Sequence, residues 1–160
     1  MAQDGPGRKR LRIAVLAGGW SNEREVSLLS GETVFRELDR AKYEVMRLDP
    51  REDLGALMEG AGKIDLAFPL LHGKMGEDGC IQGMLSVLGI PFVGSGVLSS
   101  AMALNKRVAK QRFQGGGLAV AREVHLVRGK RYEAGHVMDS MGFEAVVKPV
   151  TGGSSIGMSI

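Results

Sequence analysis

The chain has a single cysteine, Cys80, in 160 residues. One thiol excludes an internal disulfide and fits a reducing compartment. No apolar stretch approaches the ~20 residues of a membrane span. Arg8 to Ala17 begins basic and turns apolar, but the apolar part is too short for a signal peptide and reads better as a first strand behind a disordered polar tail, residues 1–10. A cytoplasmic protein without membrane association is therefore expected. Strong charge of one sign is also missing. The net charge is +3, and Arg8, Lys9, Arg10 and Arg12 supply a basic cluster larger than that excess. Nucleic-acid binding needs a broader basic face. Neither G-x-x-x-x-G-K-[ST] nor G-x-G-x-x-G occurs, and Gly94-Ser95-Gly96 lacks the third glycine. This argues against a P-loop and against a nicotinamide-dependent oxidoreductase. Glu77-Asp78 has no second acidic cluster beside it, so no metal ligand is assigned. Internal repeats and low-complexity segments are absent too.

Glycine, by contrast, is abundant. Its 24 residues are about twice the average share of ~7%, and they cluster in turns after apolar runs. That distribution suggests binding loops built from backbone rather than a flexible linker. Apolar content of 44% and charged content of 24% are ordinary for a globular protein.

Along the chain, apolar runs alternate with helical patterns. Strands are expected at Leu11–Ala17, Tyr43–Leu48, Ile64–Leu71 and Ile90–Gly94. A helix is expected from a capping box at Asn22 and Glu25 to about Arg40, another over Leu54–Gly60, and another from Asp78 as cap to about Leu88. Gly31 inside the first helix costs about 1 kcal/mol against alanine. This alternation predicts a four-stranded parallel sheet covered on both faces, with the glycine turns at the carboxyl ends of the strands. After Gly96 the pattern changes. A helix over Val97–Gln114 carries Lys106 and Lys110 one turn apart. Ala119–Val127 reads as extended, Tyr132–Met141 as helix and Phe143–Pro149 as strand. The expected organisation is an α/β domain over 11–100 and a second, partial domain over 101–160.

Three segments carry chemistry. Gly18-Gly19-Trp20-Ser21-Asn22-Glu23-Arg24-Glu25 opens a helix, where free N–H groups attract anions. Glu23 there either binds a ligand ammonium or simply favours the helix start. His72-Gly73-Lys74-Met75-Gly76-Glu77-Asp78-Gly79-Cys80-Ile81-Gln82-Gly83 puts a histidine, two acids and four glycines after an apolar run. His72 either hydrogen-bonds a substrate carboxylate or is structural. Cys80 reads as a small, partly buried residue at a helix start rather than a nucleophile. Lys148-Pro149 precedes Thr151-Gly152-Gly153-Ser154-Ser155-Ile156-Gly157. A lysine beside a nest of glycine-loop amides suits a nucleotide triphosphate; the alternative is a plain hairpin with an exposed lysine.

These segments, with Asn105-Lys106, resemble the D-alanine–D-alanine ligases of the ATP-grasp superfamily from about Arg12 to Met158. The resemblance implies a Rossmann-like parallel-sheet domain that binds substrate, followed by the first part of an ATP-grasp domain. It implies ATP-dependent joining of two D-alanines through an acyl phosphate, for peptidoglycan precursors, with Mg²⁺. It implies that Glu23 orients the ammonium of the first D-alanine, that Ser154 bonds that glutamate, and that His72 lies beside the substrates. Lys106 and Lys148 would contact ATP phosphates, with Gly153 and Ser155 in the loop covering them. Members of the family continue well past the point matching Ile160, where Mg²⁺ ligands lie, so the chain is expected to be an amino-terminal part, inactive alone, and a homodimer through its first domain. The alternatives are a binding or dimerisation module without turnover and another ATP-grasp carboxylate–amine ligase.

Overall fold

A computed structural model describes residues 10–142, 145–154 and 156–160. The elements run β1 (Leu11–Leu16), α1 (Arg24–Glu37), β2 (Tyr43–Leu48), α2 (Leu54–Glu59), β3 (Leu66–Pro69), α3 (Cys80–Val87), α4 (Val97–Leu104), α5 (Lys106–Gly115) and α6 (Ala134–Met141). The chain divides into two units, Met1–Met102 and Ala103–Ile160.

The first unit is built around β1. The sheet order is β2-β1-β3, with both pairings parallel. β1 is thus the central strand, and Ile13 to Ala17 are buried on both faces, as a parallel strand requires. The two-residue period sorts its side chains. Ala14 and Leu16 join Leu57 of α2, Ala67 of β3, and Ile81 and Leu85 of α3 in one core cluster. Val15 and Ala17 face α1, where Gly31 sits against them. So α1 covers one face while α2 and α3 cover the other.

The glycine in α1 is therefore a packing requirement. A Cβ on Gly31 would lie 2.3 Å from Ala17 Cβ. The low helix propensity of glycine is the smaller effect here, because the helix seats directly on the strand end.

Several expectations need correction. The segment 90–94 is not a fourth strand: it makes one parallel bridge, Ala67 with Phe92. Ala67 N–H donates to Pro91 O at 2.8 Å and Val93 N–H to Ala67 O at 3.0 Å. Pro91 has no N–H to extend the ladder. The Asn22–Glu25 capping box does not form. Glu23 is the residue preceding α1, without a side-chain cap, and Ser21 Oγ accepts the Glu23 N–H instead. Asp78 does not occupy the cap position of α3. Gly79 does, at φ 94°, where a Cβ would meet Val97 O at 2.8 Å.

The single helix expected over Val97–Gln114 is two, α4 and α5, broken at Asn105. The Asn105 backbone is extended and its side chain accepts the Val108 N–H at 3.1 Å. An asparagine that caps competes with helix continuation, and here Asn105 also bridges Thr151. Ala119–Val127 joins no ladder among the described residues. α6 begins at Ala134 rather than Tyr132. Of the expected strand Phe143–Pro149, positions 143 and 144 lie outside the described residues, and the rest makes one antiparallel bridge, Val147 with Ser159. No helix among the described residues is long and apolar enough to cross a membrane.

Candidate functional site

The loops after β1 and β3 meet at the carboxyl edge of the sheet. β1 leads into α1 on one face, and β3 leads through its loop to α3 on the other. Where neighbouring parallel strands send their connections to opposite faces, a crevice opens that the sheet itself does not fill. Gly18 to Glu23 and His72 to Gly79 line this one.

Hydrogen bonds hold the crevice in shape. At its base, the buried Ser27 Oγ accepts the Gly18 N–H at 2.8 Å and donates to Leu70 O at 2.6 Å. Asp49 Oδ1, beyond the end of β2, accepts the Gly19 N–H at 2.8 Å. The other Asp49 oxygen lies 2.5 Å from Arg24 Nη1, with the two side chains 12% and 26% exposed. Gly18 lies directly against this ion pair. Its φ is +97° and a Cβ would fall 2.2 Å from Asp49 Oδ2, so only glycine fits. At the rim, Ser21 Oγ donates to His72 O at 2.6 Å and accepts the Glu23 N–H at 3.1 Å.

Glu23 and His72, both half-buried, are thus brought to one crevice. The Glu23 carboxylate lies over the next turn: a Cβ on Gly73 would be 2.7 Å from Glu23 Oε2. His72 Nε2 lies 3.4 Å from Ser30 Oγ on α1. Trp20 points outward, 42% exposed, which is how a large residue fits the glycine turn.

The rest of the His72 segment is scaffold. Glu77 Oε2 accepts the Gly73 N–H at 2.7 Å. Asp78 accepts the N–H of Met75 at 2.9 Å and of Cys80 at 3.1 Å. Burial works to raise the Asp78 pKa, but hydrogen bonds from the Met75 N–H and from Cys80 outweigh it and hold the carboxyl below its usual range. The hydrogen bond with Asp78, then burial, push the Cys80 thiol up, away from the thiolate a nucleophile needs. Cys80 is exposed, not partly buried as expected. The scaffold also uses left-handed backbone at Met75, φ 68°.

In the second unit, α5 starts beside the glycine loop. The Lys106 N–H donates to Val150 O at 2.9 Å, and Lys106 Nζ donates to Gly152 O at 2.6 Å. The loop is the end of a hairpin: Val147 and Ser159 exchange N–H···O bonds at 2.9 and 3.0 Å. Gly152 and Gly157 take positive φ, as does Ser154 at 48°. Gly153 O accepts the Ile156 N–H at 3.2 Å. Ser155 lies outside the described residues. Lys148 is exposed on the hairpin arm. Lys110 pairs with Glu123 at 2.9 Å and donates to Ala121 O, which separates it from Lys106 in role. Lysine and turning amides suit a phosphate chain. Among the described residues no three His, Cys, Asp or Glu gather as a metal site.

Sequence reasoning singled out Glu23 and His72 but gave no role to Ser21, Ser27 or Asp49. Serines inside a helical pattern and an aspartate after a strand look like ordinary surface residues. Only the crossing of the chain makes them partners of the glycine turns.

A family model described as D-ala D-ala ligase N-terminus matches residues 50–95. The D-alanine–D-alanine ligase of Syntrophobacter fumaroxidans is 53% identical over 154 residues, 95% of this chain and 49% of that protein. That of Geobacter sulfurreducens is 45% identical over 152 residues, 47% of its length. Among solved structures, a Bacillus anthracis D-alanine–D-alanine ligase complexed with ATP superposes with a TM-score of 0.79 at 38% identity, covering 89% of this chain and 48% of that one. VanG D-Ala:D-Ser ligase from Enterococcus faecalis gives 0.73 at 28% identity. The chain spans about half the length of the curated relatives it matches.

Proposed function

We propose that this chain, similar over nearly its whole length to about half of a D-alanine–D-alanine ligase, supplies the first-substrate pocket and part of the phosphate site for ATP-dependent joining of two D-alanines. In that reaction the carboxylate of one D-alanine takes the γ-phosphoryl group of ATP. The amine of a second D-alanine then attacks the acyl phosphate, and phosphate leaves. Glu23 fixes the ammonium of the first D-alanine, and His72 faces its carboxylate. Lys106, Lys148 and the loop holding Gly153, Ser154 and Ser155 offset charge on the phosphates. This is catalysis by positioning and electrostatics. Mg²⁺ finds no ligand set among the described residues, and we assign this chain no metal ligand. With this reading goes a cytoplasmic homodimer through the first unit, where Val26 and Leu29, three apart on α1, are 56% and 70% exposed.

The observation that carries the proposal is the meeting of Glu23 with the His72–Gly73 turn at a crevice between parallel strands. It sets the Glu23 carboxylate against the turn that His72 opens, which suits the ammonium of a small amino acid. The test joins this chain in frame to the carboxy-terminal half of the Syntrophobacter fumaroxidans relative and follows phosphate release with ATP, Mg²⁺ and D-alanine. Glu23→Gln is expected to raise KM for the first D-alanine at least about tenfold with KM for ATP nearly unchanged, since a charge-assisted contact is typically worth over 1.4 kcal/mol. Lys148→Ala is expected to do the reverse. Equal effects on both substrates would refute the roles. The chain by itself is expected to release phosphate at the blank rate.

A further inference from the structure

We propose that Ser21 is a positioning residue for Glu23, clasping the two loops of the crevice together. This rests on the ligase reading of Glu23 given above, but its geometric part stands alone. The Ser21 hydroxyl has one proton, and it goes to His72 O at 2.6 Å. One of its lone pairs takes the Glu23 N–H at 3.1 Å. The residue that carries the carboxylate and the residue that opens the facing turn are therefore fastened to the same oxygen. Side-chain packing agrees. The space where Gly73 would carry a Cβ is bounded by Glu23 Oε2 at 2.7 Å, Ser21 Cβ at 3.3 Å and Ser21 Oγ at 3.4 Å. The Glu23 side chain lies in the gap that the clasp and the missing side chain of Gly73 leave between them.

The clasp differs from the other ties in the crevice. Ser27 and Asp49 hold the bases of the loops: Ser27 bonds Gly18 and Leu70, while Asp49 accepts from Gly19 and Arg51 and pairs with Arg24. Ser21 alone among these three bonds the backbone of both candidate substrate-binding residues. Without its hydroxyl, His72 O and the Glu23 N–H each lose a partner, and the first residue of the helix approach is free to rotate. The consequence is selective: the first D-alanine loses an aligned carboxylate, while the phosphate loop of the second unit keeps all its own bonds.

Two measurements test this. In the chain as it stands, amide hydrogen exchange is compared for unsubstituted protein, Ser21→Ala and Ser21→Thr. Ser21→Ala is expected to speed exchange of the Glu23 amide about tenfold, one hydrogen bond's worth, with the amides of β1 unchanged; Ser21→Thr keeps the hydroxyl and restores slow exchange. Should Ser21→Ala unfold, which the β1 amides report, Ser21→Cys, a weaker donor, replaces it. An unchanged Glu23 amide overturns the clasp. In the joined ligase described above, Ser21→Ala is expected to raise KM for the first D-alanine about tenfold, leave KM for ATP within about twofold, and recover with Ser21→Thr. Parallel loss for both substrates, or no rescue by threonine, overturns the positioning role. A joined ligase inactive without any substitution would refute the functional reading instead, and the exchange experiment would still decide the clasp.

Discussion

Gly31→Ala sets propensity directly against packing. In an exposed helix the change would stabilise by about 1 kcal/mol. Here the new Cβ would sit 2.3 Å from Ala17 Cβ, whereas carbon atoms rest about 3.5–4.0 Å apart. Helix and strand must separate by more than 1 Å, or one must tilt. Ala17 has no rotamer to change and is 1% exposed, so backbone has to give way. Overpacking of this kind costs typically 1–3 kcal/mol, occasionally more. Taking the upper end and subtracting the propensity gain leaves a net loss of about 2 kcal/mol. For a unit of this size each kcal/mol moves Tm by roughly 4–8 °C, so a fall of roughly 8–16 °C is expected by thermal denaturation followed by circular dichroism. Ala17→Gly supplies the control. With that methyl gone, the nearest atom to the new Cβ is Ala17 Cα at 3.7 Å, an ordinary contact. The double variant should therefore recover most of the loss, giving a coupling of over about 1 kcal/mol in a double-mutant cycle. A Tm that rises in Gly31→Ala, or a strictly additive double variant, would refute the account of how α1 seats on β1.

Gly73→Ala should cost the fold about 1–3 kcal/mol for left-handed alanine at φ +69°, and should also push the Glu23 carboxylate aside, raising KM for the first D-alanine more than KM for ATP in the joined ligase. Asp78→Asn should lower stability at neutral pH by about 1–2 kcal/mol, because an amide cannot accept from both Met75 and Cys80. The Asp78 carboxyl is held below its usual 3.8, so its contribution is complete above that pH and is lost as pH falls through the lower native value; urea unfolding at pH 7 and pH 3 should show the two proteins converging in acid. Cys80 should react with a disulfide reagent at pH 8 more slowly than a free thiol despite its exposure, and faster in Asp78→Asn, since the bond with Asp78 is the largest cause of its raised pKa; equal rates would refute that cause.

The sequence by itself determined the class of fold and the identity of its loops. Apolar runs of strand length punctuated by glycine, and helical spacing between them, are local signals, and β1, α1, β2, α2, β3 and α3 all appear near where those signals put them. The motifs around Glu23, His72 and Lys148 were legible for the same reason: each is a short run whose residue types are chemically unusual together. Tertiary structure decided what no local window contains. It placed β1 at the centre, so that the loops after β1 and β3 face each other. It reduced the expected fourth strand to a bridge at Pro91 and split one helix at Asn105, because pairing with a distant segment outweighs local propensity. It turned Gly31 from a weak helix former into the only residue that fits. Ser21, Ser27 and Asp49 acquire meaning only when residues 21 and 72, 27 and 70, and 19 and 49 are neighbours in space. Hydrogen bonds between segments 30 to 51 residues apart depend on how the strands are ordered, and strand order is set by the packing of the whole sheet.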